Sequence, residues 1–289
     1  MPILSGKARL AGVVGWPVAH SRSPRLHGFW LERYAIDGAY VPLAVPPEAF
    51  ARALGGLVAC GFAGLNVTLP HKEAAFALCD EVASSARRAG AVNTLVFRDR
   101  RVYGGNSDGA GFLAHLRAEG VDPAAGPALV IGAGGAARAI ASALQEAGCA
   151  VSLAARREEA VVRLAAALPG LAILPWAARH RALADHALVI NTTQAGMSGN
   201  PPLDLDLDLA GAPAALVVAD IVYVPLETPL LRAARMRGLR VIGGLGMLLH
   251  QAAPGFAAWF GVEPAVDEAL YRFVAGDLLA PDRAVPTCA

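Results

Sequence analysis

The chain has 289 residues, 55% of them apolar and 17% charged, with 31 Gly and 20 Pro; this composition excludes disorder, collagen-like repeats and coiled coil. The length fits about two domains, with a core large enough to need neither disulfides nor a structural metal. Twenty-five Lys and Arg against 24 Asp and Glu leave a formal charge of +1, which speaks against nucleic acid and against a membrane surface as partners.

From Arg9 to about Val102 short apolar runs alternate with helical stretches, the pattern of βαβ units. Leu10–Val14, Tyr40–Val45 and Ala63–Asn66 read as strands, and Ser23–Tyr34 and Pro47–Cys60 as helices. Ser23-Pro24 opens the first helix as an N-cap residue followed by proline at the first helical position. A helix follows Asn106-Ser107-Asp108-Gly109, and the turn-rich Pro123–Pro127 reads as a joint. Ala128–Ile131 is a continuous apolar run, as expected of a strand buried on both faces of a parallel sheet. Further strands are expected at Ala150–Ala155, Leu171–Leu174, Leu188–Asn191, Leu216–Asp220 and Arg240–Gly243, and final helices at about Gly246–Phe260 and Pro264–Ala275.

The reading is therefore an α/β protein: an N-terminal α/β substrate domain over 1–107, completed by about 251–289, and a Rossmann-type doubly wound dinucleotide-binding domain over 108–250. The last helices are expected to return to the first domain. Leu203–Leu209 alternates Leu and Asp and reads as a solvated acidic edge, without the glycine turn of a calcium loop. The N-terminus lacks the features of a secretory signal and no apolar run reaches ~20 residues, so the expectation is cytoplasmic. Cys60, Cys79, Cys149 and Cys288 show no metal or redox spacing.

Gly132-Ala133-Gly134-Gly135-Ala136-Ala137 follows a predicted strand and opens a predicted helix. Gly132 permits the tight turn, Gly134 the approach of backbone N–H groups to a pyrophosphate, and Ala137 close packing of helix on strand. The acidic residue that usually holds a ribose 2′-hydroxyl about twenty residues on is replaced by Ala155-Arg156-Arg157. Two guanidinium groups there suit a 2′-phosphate, so NADP is favoured, with NAD left possible by the neighbouring Glu158-Glu159.

Three clusters in the first half exceed what folding needs. His20-Ser21-Arg22-Ser23-Pro24 sets two hydroxyls before a helix, where an anion is favoured. Asn66-Val67-Thr68-Leu69-Pro70-His71-Lys72 places an amide, a hydroxyl and an amine in succession, and Asn93-Thr94 and Asn106-Ser107-Asp108 add amides and a carboxylate. Lys72 stands out because only it and Lys7, of the 25 basic residues, are lysines.

With Asn191-Thr192-Thr193, Asp220–Pro225, Thr228–Leu231 and Gly243–Gln251 in the same order, these motifs closely resemble the shikimate dehydrogenase family, over about Gly12 to Gly261. The resemblance implies that Ser21 and Ser23 bind the shikimate carboxylate. It places Asn66, Thr68, Asn93, Asp108, Tyr223 and Gln251 on the ring or its hydroxyls, and Lys72 with Asp108 as the catalytic pair. Gly132, Ala133, Gly134, Gly135 and Ala136 match the pyrophosphate loop, Arg156 and Arg157 the adenosine-phosphate clamp, and Ile221, Gly244 and Met247 positions near nicotinamide. The implied activity is NADP-dependent reduction of 3-dehydroshikimate, a small-molecule substrate, in aromatic amino-acid (chorismate) biosynthesis, by a monomer or homodimer without a metal. Here Ala155-Arg156-Arg157 stands where the family often has Asn-Arg-Thr, Asn106-Ser107-Asp108 where it often has Asn-Thr-Asp, and Gln194-Ala195 where Ser-Leu is commoner. The rival readings are an NAD-preferring quinate/shikimate or aminoshikimate dehydrogenase and, from another class, a non-catalytic NADPH-responsive binding module, against which an intact Lys72 and Asp108 argue.

Overall fold

A computed structural model describes residues 3–198, 205 and 207–279. Cys288 and part of the Asp/Leu stretch lie outside the described residues. Within that stretch Leu205 and Leu209 are buried while Asp208 faces solvent.

The chain opens on β1 (Arg9–Gly15), followed by α1 (Ser23–Arg33), β2 (Gly38–Ala44), α2 (Phe50–Ala59), β3 (Gly64–Val67), α3 (Lys72–Leu78), β4 (Glu81–Val82), α4 (Ser84–Ala89), β5 (Thr94–Arg98) and β6 (Arg101–Gly105). The sheet order is β2-β1-β3-β5-β6-β4. β1 pairs in parallel with β2 and β3, as the βαβ pattern requires, but β5 runs antiparallel to both β3 and β6. The sheet is thus mixed, and the expectation of βαβ units as far as Val102 is corrected over its last part. The β5–β6 hairpin turns on Asp99 and Arg100, both at positive φ (51° and 61°); neither is the glycine that usually marks a two-residue hairpin, so the sequence carries little sign of it. Ser23 is also not an N-cap: it is the first residue of α1, Arg22 precedes it as the cap, and Pro24 stands in the first turn.

After α5 (Asp108–Ala118) the second sheet begins with β7 (Ala128–Ile131), fully buried along its length. It continues through α6 (Gly135–Glu146), β8 (Val151–Ala154), α7 (Glu158–Ala167), β9 (Ala172–Ile173), α8 (Arg179–Ala182), β10 (Leu188–Asn191), β11 (Val217–Asp220), α9 (Pro229–Met236) and β12 (Arg240–Ile242). All its pairings are parallel and its order is β12-β11-β10-β7-β8-β9. That is a Rossmann-type doubly wound sheet, whose strand order reverses between β7 and β10 and leaves a crevice at their C-terminal ends.

Two more helices, α10 (Gly244–Phe260) and α11 (Glu268–Ala275), close the chain. α10 starts at the end of β12 and runs onto the first sheet, where the Trp259 indole donates to the Leu95 carbonyl at 2.9 Å and Phe256 packs beside Trp30. It is one continuous helix across residue 251. α5 lies between α6 and α10 and meets both by backbone: a Cβ on Gly109 collides with the Ala139 carbonyl, and one on Gly111 comes 2.5 Å from the Gln251 Cβ.

The first core contains a fully buried imidazole. His27 of α1 stacks on Tyr40 at 3.8 Å and 8°, with Trp30, Phe256 and Trp259 around it. Both ring nitrogens are buried without a well-formed hydrogen bond. Burial therefore lowers its pKa from 6.5 to about 3, an effect Asn66 opposes only in part. The folded state holds His27 neutral while the unfolded chain takes up a proton below about pH 6.5, so stability falls as pH drops from there towards 3. His27→Phe keeps the stacking and removes that proton uptake. Chemical unfolding at pH 4.5 is expected to show the variant more stable than the parent by on the order of 1–3 kcal/mol, with the gap shrinking by pH 8; an equal gap at both values contradicts a neutral buried His27.

Candidate active site

The carboxyl ends of β1 and β3, the N-termini of α1, α3 and α5, the middle of α10 and the turn after β11 surround one cavity. It gathers Ser21, Ser23, Asn66, Thr68, Lys72, Asn93, Asp108, Tyr223 and Gln251, every side chain singled out from the sequence for substrate and proton transfer. His20, next to Ser21 in the sequence, also lies on its wall.

At its centre the Lys72 Nζ donates to Asp108 Oδ2 at 2.6 Å. Lys72 begins α3, Asp108 begins α5, and the Asp108 side chain is only 8% exposed while that of Lys72 retains 21%. Removing such a pair from water costs about as much as the attraction returns, so stability alone gives weak reason for it. The other carboxylate oxygen accepts from Asn93 Nδ2 at 2.7 Å. The same Asn93 amide donates to Gln251 Oε1 at 3.0 Å, so one side chain ties α5 to α10. Ser107 completes the lattice: its N–H donates to Asn93 Oδ1 (2.9 Å) and its hydroxyl to the Gln251 carbonyl (2.8 Å). Sequence reasoning gave Ser107 no role of its own, although it stood inside the motif that pointed to Asp108.

The hydroxyls of Ser21 and Ser23 flank the first turn of α1, with Ser21 Oγ accepting from the Ser23 N–H at 3.3 Å. Arg22 between them points elsewhere, forked onto Asp277 at 2.8 and 2.9 Å and donating to the Val274 carbonyl. Tyr223 reaches in from the second sheet, and burial raises its phenol pKa while the positive charge of Arg22 opposes the rise. The turn that delivers it is braced by Asp220. One carboxylate oxygen accepts from Asn191 Nδ2 and the Val222 N–H, each at 3.0 Å, and the other from the Thr228 hydroxyl at 2.8 Å. Burial outweighs these three donors and raises the Asp220 pKa from 3.8 to about 6.

A second hollow sits at the crevice of the Rossmann sheet. Gly132 turns there at φ +122°, with the Thr192 hydroxyl where a Cβ belongs. Gly134 and Gly135, exposed at the N-terminus of α6, have no atom within 4 Å of an added Cβ, so the backbone is open to a bulky anion. Ala133 and Ala136 are half-buried beside them. Arg156 lines the hollow with Ala155, Thr193 and Trp176. Arg157 is the N-cap of α7 and does not line it. Both arginines are exposed, with no ion-pair or hydrogen-bond partner among the described residues. Trp176, which carries the Arg179 guanidinium 4.2 Å over its ring, had no signal in the sequence because it lies in a short 3-10 turn between weak elements. Met247 and Ile221 pack on the same core as Ala133, and Gly244 lies against the Ile221 carbonyl. One hollow thus holds the Lys72–Asp108 pair and the other the Gly132 turn beside Arg156.

Residues 13–95 match a family model described as the shikimate dehydrogenase substrate binding domain, and residues 244–269 one described as the shikimate 5'-dehydrogenase C-terminal domain. A protein of Acidiphilium cryptum named shikimate dehydrogenase (NADP(+)) is 69% identical over 277 residues, spanning 96% of this chain and 99% of that one. One of the same name from Rhodospirillum rubrum is 57% identical over 95% and 99% of the two chains. Among solved structures, shikimate 5-dehydrogenase from Thermus thermophilus in complex with NADP(H) and shikimate superposes with a TM-score of 0.83, at 39% identity and with 93% and 99% coverage.

Proposed function

The chain belongs to the shikimate dehydrogenase family, and from that premise we propose that it reduces 3-dehydroshikimate reversibly to shikimate with NADPH, Lys72 moving the proton. The observation that carries the residue assignment is the 2.6 Å contact of Lys72 Nζ with Asp108 Oδ2 on the wall of a cavity whose other polar side chains are mostly hydroxyls and amides.

When bound, NADPH supplies the hydride that reaches the C3 carbonyl carbon. Lys72 donates a proton to the oxygen at C3 as negative charge develops there; in the oxidative direction its amine takes the hydroxyl proton back. Asp108 holds the ammonium in place and accepts from a substrate hydroxyl. Asn93 and Gln251 keep that carboxylate aligned by the bonds described above. Ser21 and Ser23 take the carboxylate at the start of α1, where the N–H groups and helix dipole favour an anion. Asn66, Thr68 and Tyr223 set the ring, which supplies the orientation on which much of the rate depends. On the cofactor side the Gly132–Ala136 turn receives the pyrophosphate and Arg156 with Arg157 the 2′-phosphate, while Ile221, Gly244 and Met247 border the nicotinamide. The same reading makes the chain a cytoplasmic monomer or homodimer; among the described residues no helix is long and apolar enough to cross a membrane.

The direct test is shikimate-dependent reduction of NADP by the purified protein, with quinate and NAD as competitors. No shikimate turnover, or a higher kcat/KM with NAD, overturns the corresponding part. Replacing Arg156 and Arg157 together by Ala is expected to raise KM for NADP by about 10- to 100-fold, as the loss of charge-assisted phosphate contacts requires, and to leave KM for NAD within about threefold. A parallel loss with both cofactors removes the 2′-phosphate clamp from the account.

A further inference from the structure

Asn66 faces the substrate cavity with its two amide ends in different situations. Its Nδ2 makes only long contacts, 3.3 Å to the Asn93 carbonyl and 3.5 Å to Thr94 Oγ1. Its Oδ1 accepts a short bond of 2.6 Å from the Tyr40 hydroxyl. Tyr40 lies behind Asn66 on the neighbouring region of the sheet, 7% exposed and off the cavity wall. A flipped amide sets Oδ1 against the Asn93 carbonyl, acceptor against acceptor, so the Asn93 carbonyl and the Tyr40 donor together select one orientation.

From this geometry we propose that Tyr40 is a positioning residue for substrate recognition. By donating to Asn66 Oδ1 it fixes that amide with Nδ2 and its weakly engaged hydrogens available to a hydroxyl of the substrate ring. Tyr40 itself touches no substrate. Its ring is held by the parallel His27 imidazole at 3.8 Å and by Trp259 at 5.9 Å, so the phenol is clamped before substrate arrives. Ser23, on the carboxylate side of the cavity, also interacts with the phenol and partly offsets the pKa rise that burial imposes on it. Tyr40 thereby stands behind two of the groups assigned to substrate, one for the carboxylate and one for the ring. An unclamped Asn66 has a buried acceptor without a donor, which drives the amide to rotate and spend its hydrogens elsewhere.

The inference rests on the placement of Asn66 at the substrate, and the test separates the two. Tyr40→Phe keeps the ring and deletes the donor. It is expected to raise KM for shikimate about 10-fold, the scale of one buried hydrogen bond, while KM for NADP stays within about twofold. Asn66→Ala should raise the same KM, and adding Tyr40→Phe to Asn66→Ala should change it by less than about twofold, because a residue that acts through Asn66 has nothing left to act on. Additive effects in the double variant, or equal losses for both substrates, overturn the positioning role. An unchanged KM in Asn66→Ala overturns the placement of Asn66 itself, and with it the clamp.

Discussion

Lys72→Met is expected to lower kcat by about 10²- to 10⁴-fold, the usual contribution of a placed acid or base, with KM for shikimate and for NADP within a few fold of the parent. Methionine keeps the unbranched stem of lysine as far as Cε but moves no proton. Lys72→Arg is the more discriminating change. Arginine retains the positive charge and a forked partner for Asp108, yet stays protonated at every working pH. If Lys72 acts mainly as a charge that holds Asp108, the Arg variant keeps most of the rate. If it hands over a proton, Arg and Met fail alike, and that is the expected result. Steady-state rates in both directions decide the matter, and an Arg variant within about threefold of the parent removes Lys72 from proton transfer.

The second large effect is expected at Gly111, which touches neither cavity. An added Cβ there comes 2.5 Å from the Gln251 Cβ and 2.6 Å from its backbone N and Cα. Backbone cannot rotate away as a side-chain tip can, so Gly111→Ala must push α5 and α10 apart. Overpacking of this kind costs about 1–3 kcal/mol, more than the roughly 1 kcal/mol that Ala gains over Gly in a helix. The displacement also falls on the helices that carry Asp108 and Gln251. Misplacement by 1 Å can cost about 10²-fold in rate, so a loss of at least about 10-fold in kcat/KM should accompany a Tm lower by several degrees. Gly55 on α2, with no atom within 4 Å of an added Cβ, supplies the control: Gly55→Ala should be neutral or slightly stabilising. Equal behaviour of the two variants in stability and rate contradicts the contact as described.

The Rossmann sheet was legible in the sequence because its strands are short apolar runs buried on both faces, and because a glycine turn sits between β7 and α6 where phosphate chemistry demands one. The ends of these elements shifted by only a residue or two. The first sheet was legible as far as β3. Beyond it, the β5–β6 hairpin turns on Asp99 and Arg100 and offers no glycine to mark it, and β4 is two residues long. The polar side chains of the substrate cavity were legible as types and spacings, since hydroxyls, amides and one rare lysine clustered at predicted strand ends. Their hydrogen-bond order was not. That Asn93 bridges Asp108 and Gln251, 15 and 158 residues away, follows from how α5 and α10 cross, which local pattern does not encode. Tyr40 and Trp176 were hidden for another reason: each reads as an ordinary aromatic of a strand or turn until its neighbour in space is known.

The position of α5 has one further effect. Its first residue carries the acid partner of Lys72, and its next turn meets α6 on one side and α10 on the other by bare backbone. Chemical centre and mechanical fulcrum therefore share a single helical turn. A substitution in the Rossmann half that tilts α6 therefore bears directly on the helix that carries Asp108. Cofactor-side substitutions that tilt α6 should then register in the rate at the Lys72–Asp108 pair.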